Sequence, residues 1–157
     1  MNETKATVAD DVATSVRISA PPDAVFDYLV EPAKLMTWMG LEARIDPRPG
    51  GRFWLNITGN DRASGQYLEV DRPRRVSFTW GWEGSEEVPP GSSTVTIDLT
   101  VEGDETLVEL THSGLPEALT DRHADGWVHY LSRLATAATG GDPGPDSNAS
   151  PRDQETG

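Results

Sequence analysis

Apolar and polar residues alternate with a period of two through most of this chain. The alternation is sharpest at Val76-Ser77-Phe78-Thr79-Trp80-Gly81-Trp82. That period sets Val76, Phe78, Trp80 and Trp82 on one face of a β-strand. Shorter alternating runs predict a strand at 14–19 and another at about 41–45. Pro49-Gly50-Gly51 is a turn signal that opens a strand with Phe53, Leu55 and Ile57 on one face and Trp54, Asn56 and Thr58 on the other. A strand over 64–70 carries Leu68 and Val70 inward, which leaves Tyr67 and Trp54 on the outer face of their strands. Val95, Ile97, Leu99 and Val101 alternate strictly up to a Gly103-Asp104 hairpin turn, and Val108, Leu110 and His112 alternate after it.

The pattern changes to a helical period in two places. Pro21-Pro22-Asp23 has the proline and early acid of a helix start, followed by a stripe of Val25, Phe26 and Leu29. Pro32 begins a second short helix with Leu35, Met36 and Trp38, ending near Gly40. From Pro116 or Thr120 to Thr139, Trp127, Leu131, Leu134 and Ala138 share one helical face, with His123 a turn before Trp127. Gly140-Gly141 stops this helix. The predicted order is strand, two short helices, six strands, long helix. The economical α+β packing is a curved antiparallel sheet of about seven strands wrapped around the long C-terminal helix.

Composition adds boundaries and exclusions. The 157 residues suit one domain. Residues 1–13 are polar, and residues 140–157 are dense in Gly, Pro, Asp and Ser. Both are read as disordered, which leaves a domain over 14–139. The net charge is −13. An acidic surface repels phosphate backbones, so nucleic acid and anionic membranes are not expected partners. The absence of cysteine excludes disulfides, thiolate catalysis and Cys-based metal sites. No signal peptide or transmembrane run is visible, so the expected location is cytoplasmic.

No catalytic constellation stands out, neither a nucleophile elbow, nor a phosphate loop, nor paired carboxylates beside a histidine. His112, His123 and His129 do not form a metal pattern, since His123 and His129 lie on different sides of a helix. No metal, cofactor or catalytic residue is assigned. The aromatic stripe is either core or the wall of an apolar cavity. His112 has inward parity and requires a partner for each nitrogen, so it is either a structural histidine or a ligand-orienting one.

Four segments carry a resemblance to a known family. They are Ile18-Ser19-Ala20-Pro21 with Val25-Phe26; Pro49-Gly50-Gly51-Arg52-Phe53; Val70 to Val76 running into Phe78-Thr79-Trp80; and Thr111-His112-Ser113-Gly114-Leu115 followed by Gly126-Trp127 and Leu131. In these the chain resembles the helix-grip fold of the SRPBCC (START-like) superfamily, in the branch named after the activator of the heat-shock-protein-90 ATPase. The resemblance implies a cavity between sheet and long helix for a hydrophobic small molecule. The expected lining is Trp38, Phe53, Gln66, Leu68, Phe78, Trp80, Trp82, Val95, Ile97, His112, Trp127, Tyr130 and Leu131. His112, Tyr130 or Gln66 would orient polar groups. Trp38 and Met39 would stand at the cavity mouth, and the polar loop after Glu83 would be its lid.

Within that family the expectation is sequestration or carriage without turnover, by a monomer. Antibiotic self-resistance, by sequestration or by self-sacrifice to an enediyne-type product, is its sharper form. Gly81 and Gly114 would then be the exposed targets of hydrogen abstraction. Two alternatives belong to other classes. One is a polyketide aromatase/cyclase-like enzyme with His112 and Tyr130 as acid–base pair. The other is a chaperone-associated interaction module working through an exposed Trp54 and the acidic surface. Co-chaperone activity is not carried over, because the additional chaperone-binding domain of the eukaryotic protein is absent from this chain.

Overall fold

The structure, a computed structural model, describes residues 11–147. Strand β1 (Val12–Ile18) is followed by helices α1 (Pro22–Val30) and α2 (Pro32–Leu35). Strands β2 (Glu42–Ile45), β3 (Arg52–Asn56), β4 (Arg62–Asp71), β5 (Arg75–Trp80), β6 (Ser93–Glu102) and β7 (Glu105–Ser113) come next. A 3-10 turn at Glu117–Leu119 leads into helix α3 (Thr120–Ala138). The strands form one antiparallel sheet in the order β1-β7-β6-β5-β4-β3-β2. This is the helix-grip fold.

Five successive hairpin pairings build the run from β2 to β7. The helices α1 and α2 carry the chain from β1 to the opposite edge of the sheet. Each element buries its apolar face toward the same core. Helix α1 contributes Val25, Phe26 and Leu29; α3 contributes Trp127, Tyr130, Leu131, Leu134 and Ala137. Phe53 stacks on Phe78 with ring centroids 3.9 Å apart, and Tyr67 meets both rings edge-on. Arg72 ties the β4–β5 turn to α1 through Asp23 and Asp27, with its guanidinium 4.9 Å from the centre of the Phe26 ring. The charged part of this contact is at the surface and contributes little. The Arg stem and Phe ring keep the turn packed against the helix.

Three expectations need correction. Strand β1 begins at Val12, whose side chain is buried, so ordered structure starts two residues before the expected boundary. Residues 1–10 lie outside the described residues.

The second concerns β4. Tyr67 is 1% exposed and Leu68 is 48% exposed, the reverse of the expected parity. A bulge between Tyr67 and Glu69 in the pairing with β5 is the cause. Tyr67 opposes Phe78 and Val70 opposes Val76, so both face inward although their spacing is odd. Replacing Leu68 with serine should therefore leave stability within about 0.5 kcal/mol of the parent in urea denaturation. A loss of more than about 1.5 kcal/mol would restore the inward reading.

The third concerns the end of the domain. After Ala138 the chain folds back along α3. Arg133 donates from Nε to the Trp38 carbonyl and from its terminal nitrogens to the carbonyls of Pro143, Gly144 and Pro145. Asp146 accepts from the Tyr130 hydroxyl at 2.6 Å and pairs with His129 Nε2 at 2.7 Å. Packed structure thus runs on to Asp146. Composition marks this stretch as unable to form a core of its own, but it rests on donors that α3 already presents.

Candidate functional site

The aromatic stripe of β5 leads from the core to one end of the sheet. Trp80 packs against Phe53 and Phe78 on one side. On the other it meets Trp127 and Trp82, both with ring centroids at 5.2 Å. At this end the sheet, the N-terminal half of α3 and two loops leave a recess of about 530 Å³. Trp80, Trp82, Trp127 and Tyr130 form its aromatic wall. Met39 and Ile57 add apolar surface, and the Glu83–Val88 stretch closes one side. Its polar edge holds Thr58, Asp61, Glu83, Ser85, Glu87, Arg122 and His123.

The loop is shaped by its own contacts. Trp82 N–H donates to the Val88 carbonyl, Val88 N–H donates to Ser85 Oγ, and the Val88 side chain is buried. Gly81 is where this loop crosses the strand end. A Cβ there would stand 1.8 Å from the Pro89 carbonyl oxygen, so only glycine allows the approach. Gly126, in the middle of α3, is a different case. A Cβ at Gly126 would meet nothing within 4 Å. No packing demands a glycine there, and glycine costs about 1 kcal/mol of helix stability relative to alanine. What its missing side chain does is keep the helix wall of the recess open.

Two histidines hold the indoles. Trp127 Nε1 donates to His112 Nδ1 at 3.0 Å. That leaves the proton on His112 Nε2, which donates to Ser93 Oγ at 2.8 Å, and the Ser93 hydroxyl in turn donates to the Trp80 carbonyl. His112 is 0% exposed. Burial, aided by neighbouring His123, pushes its pKa down to about 3, so the ring is neutral at physiological pH. His123 has the opposite tautomer. Its Nδ1 donates to the Leu119 carbonyl at 2.9 Å, and its Nε2 accepts from Trp82 Nε1 at 3.0 Å. Burial lowers its pKa too, against the Leu119 hydrogen bond, and Arg122 lowers it further.

The expected cavity residues divide accordingly. Trp80, Trp82, Trp127 and Tyr130 line the recess. Phe53, Phe78, Val95, Ile97 and Leu131 are buried core without a place in the recess wall. Trp38 is also core, its Nε1 spent on the Tyr28 carbonyl, while its neighbour Met39 reaches the recess. Leu68 and Gln66 face solvent and are removed from the site. His112 lies behind the wall with both nitrogens engaged, and the Tyr130 hydroxyl is turned to Asp146. Neither is placed as a free acid–base group. Gly81 is buried against Pro89, and Gly114 is exposed but outside the recess lining.

Trp54 does lie on the outer face, but it is only 8% exposed. Arg44 and Arg52 cover its ring, and its Nε1 donates to Glu83. The expected exposed patch is absent there. His123 is the principal residue that sequence reasoning passed over; its place one turn before Trp127 was the available signal. Among the described residues no group of acidic, histidine or cysteine side chains is arranged to hold a metal, and no helix is long and apolar enough to cross a membrane.

Comparison with known proteins accords with this architecture. The family model described as "Activator of Hsp90 ATPase homolog 1-like protein" matches residues 19–139. No curated protein matches the chain. The solution structure of an AHSA1-like protein from Rhizobium etli is 48% identical, covering 87% of this chain and 86% of that one, with a TM-score of 0.70. The crystal structure of CalU16 from Micromonospora echinospora is 30% identical over 83% of this chain and 76% of that one, with a TM-score of 0.68. DynU16, a protein of the dynemicin biosynthetic locus, shares the fold at a TM-score of 0.76. Its identity is 24%, over 85% of this chain and 49% of its own. The chain belongs to the family of activator of Hsp90 ATPase homolog 1-like proteins, in the SRPBCC superfamily.

Proposed function

We propose that this protein binds a hydrophobic small molecule in the recess between β5 and α3 and sequesters or carries it. The observation that carries the reading is an open recess of about 530 Å³ walled by three indoles, with a helical glycine keeping one side clear. That volume suits a compound of several fused rings. Indoles provide large apolar faces for stacking at little entropic cost. Binding without turnover accords with the engagement of His112 and Tyr130 elsewhere.

Antibiotic self-resistance by sequestration is the narrower form of the proposal. Its support is the fold shared with a protein of the dynemicin biosynthetic locus and the likeness to CalU16. For hydrogen abstraction by a bound product, Gly84 and Gly126 in the recess lining stand as candidate targets beside Gly81 and Gly114.

Tryptophan fluorescence, titrated with a panel of polycyclic aromatic and polyketide-type compounds, tests the proposal. Saturable quenching is expected in the parent protein. Gly126→Leu should reduce affinity at least tenfold while folding normally, because position 126 belongs to the recess lining, an added Cβ meets nothing there, and leucine is a better helix former. A flat response across the panel, or equal affinity in the Gly126→Leu variant, would move function away from the recess.

A further inference from the structure

The hydrogen-bonding capacity of the recess wall is spent at every aromatic group but one. Trp82 Nε1 is given to His123, Trp127 Nε1 to His112, and the Tyr130 hydroxyl to Asp146. Trp80 Nε1 is buried and has no partner among the described residues, in a side chain only 3% exposed that lines the recess. Buried donors in native proteins are nearly always paired, so an unpaired one beside a recess asks what accepts from it. The indole N–H can only donate.

We infer that the molecule held in the recess is a fused-ring compound bearing a carbonyl oxygen, and that this oxygen accepts from Trp80 Nε1. The inference deepens the ligand-binding reading above and rests on it. A neutral carbonyl fits better than a carboxylate or phosphate oxygen. Asp61, Glu83 and Glu87 stand at the rim against the single cation of Arg122, on a chain of net charge −13, and that field disfavours anions. The open side of α3 at Gly126 leaves room for a flat ring system beside the indoles. Nε1 is covered, so the carbonyl reaches it only when a neighbouring ring gives way. Trp82 is the most exposed of the three indoles and meets Trp80 edge-on at 5.2 Å, which makes it the ring that gives.

Two neutral probes that differ by one carbonyl test this, 9-fluorenone and fluorene. Calorimetric titration should show fluorenone bound roughly tenfold more tightly than fluorene, the gain expected when a buried donor finds its acceptor. Trp80→Phe keeps an aromatic ring and removes the donor. In that variant fluorenone and fluorene should bind with equal affinity, whatever the change in both from losing the larger indole face. Should that variant fold poorly, the indole region of a ¹H–¹⁵N spectrum of the parent protein gives the answer directly. Fluorenone should shift one buried indole N–H strongly downfield, and fluorene should not.

Equal affinity for the two probes, or a fluorenone preference that survives in Trp80→Phe, would overturn the inference while leaving the ligand-binding reading intact. Failure of both probes and of the wider panel to bind would overturn both.

Discussion

Acidification from pH 7 to pH 4 is expected to remove about 3 kcal/mol of stability through His112 alone. In the unfolded chain this imidazole takes up a proton below about pH 6.5, whereas in the folded protein it resists until about pH 3. Between those values the unfolded state binds the extra proton, so stability falls as pH is lowered and the loss ends near pH 3. His123, also held below its ordinary value by burial, acts in the same direction.

The cause is geometric. His112 must offer a lone pair to Trp127 Nε1 and a proton to Ser93, and an imidazolium has no lone pair to offer. His112→Gln removes the titration while retaining a polar side chain. Urea denaturation across this range should show the variant less stable than the parent at pH 7, by about 2–4 kcal/mol, with a shallower acid slope. The two curves should approach each other as pH falls. Parallel curves would mean that His112 is not a buried neutral group.

Gly81→Ala is expected to cost about 4 kcal/mol or more, or to release the loop that closes the recess. The added methyl would lie 1.8 Å from the Pro89 carbonyl oxygen and 2.6 Å from Pro90 Cα. Both are backbone atoms, so no side-chain rotation relieves the contact. If the domain stays folded, the loop must move, and the Trp82 N–H bond to the Val88 carbonyl goes with it. Hydrogen exchange at the Trp82 amide and ligand titration would register that change together. Gly84→Ala is the control in the same loop, since its Cβ meets nothing and only its φ of +83° is strained, a cost of about 1–2 kcal/mol. Equal and small effects at the two positions would mean that the loop does not press on the strand end.

The period-two pattern revealed the strands because each one buries a single face of the sheet, so inward parity is written directly into the order of residues. The same pattern placed Trp80, Trp82 and His112 correctly as inward residues. It could not reveal the bulge in β4. Ser64-Gly65-Gln66-Tyr67-Leu68-Glu69-Val70 offers an apolar residue at both parities, and the choice falls to the partner strand, where Phe78 takes Tyr67 as its neighbour.

The recess was half legible. Its floor comes from one strand and one helix with strong periodicity. Its rim comes from residues 57–61 and 83–88, which are brought together by loop geometry that leaves no repeating signature. The partner of Tyr130 was hidden for a related reason. Asp146 sits in a stretch whose composition suits solvent, and its place is set by what α3 presents to it.

The close packing of Trp80 with Trp82 and Trp127 also governs how the molecule handles light. Three indoles whose centres lie this near exchange excitation before they emit, so the emission belongs to the group and not to any one ring. A compound touching Trp82 alone can darken all three. The same proximity couples their strong transitions and should give the far-ultraviolet circular dichroism a paired positive and negative band. That band would weaken to the share of the Trp80–Trp127 pair if Trp82 swung away from Trp80, which makes the closed arrangement observable in a sample with no compound added.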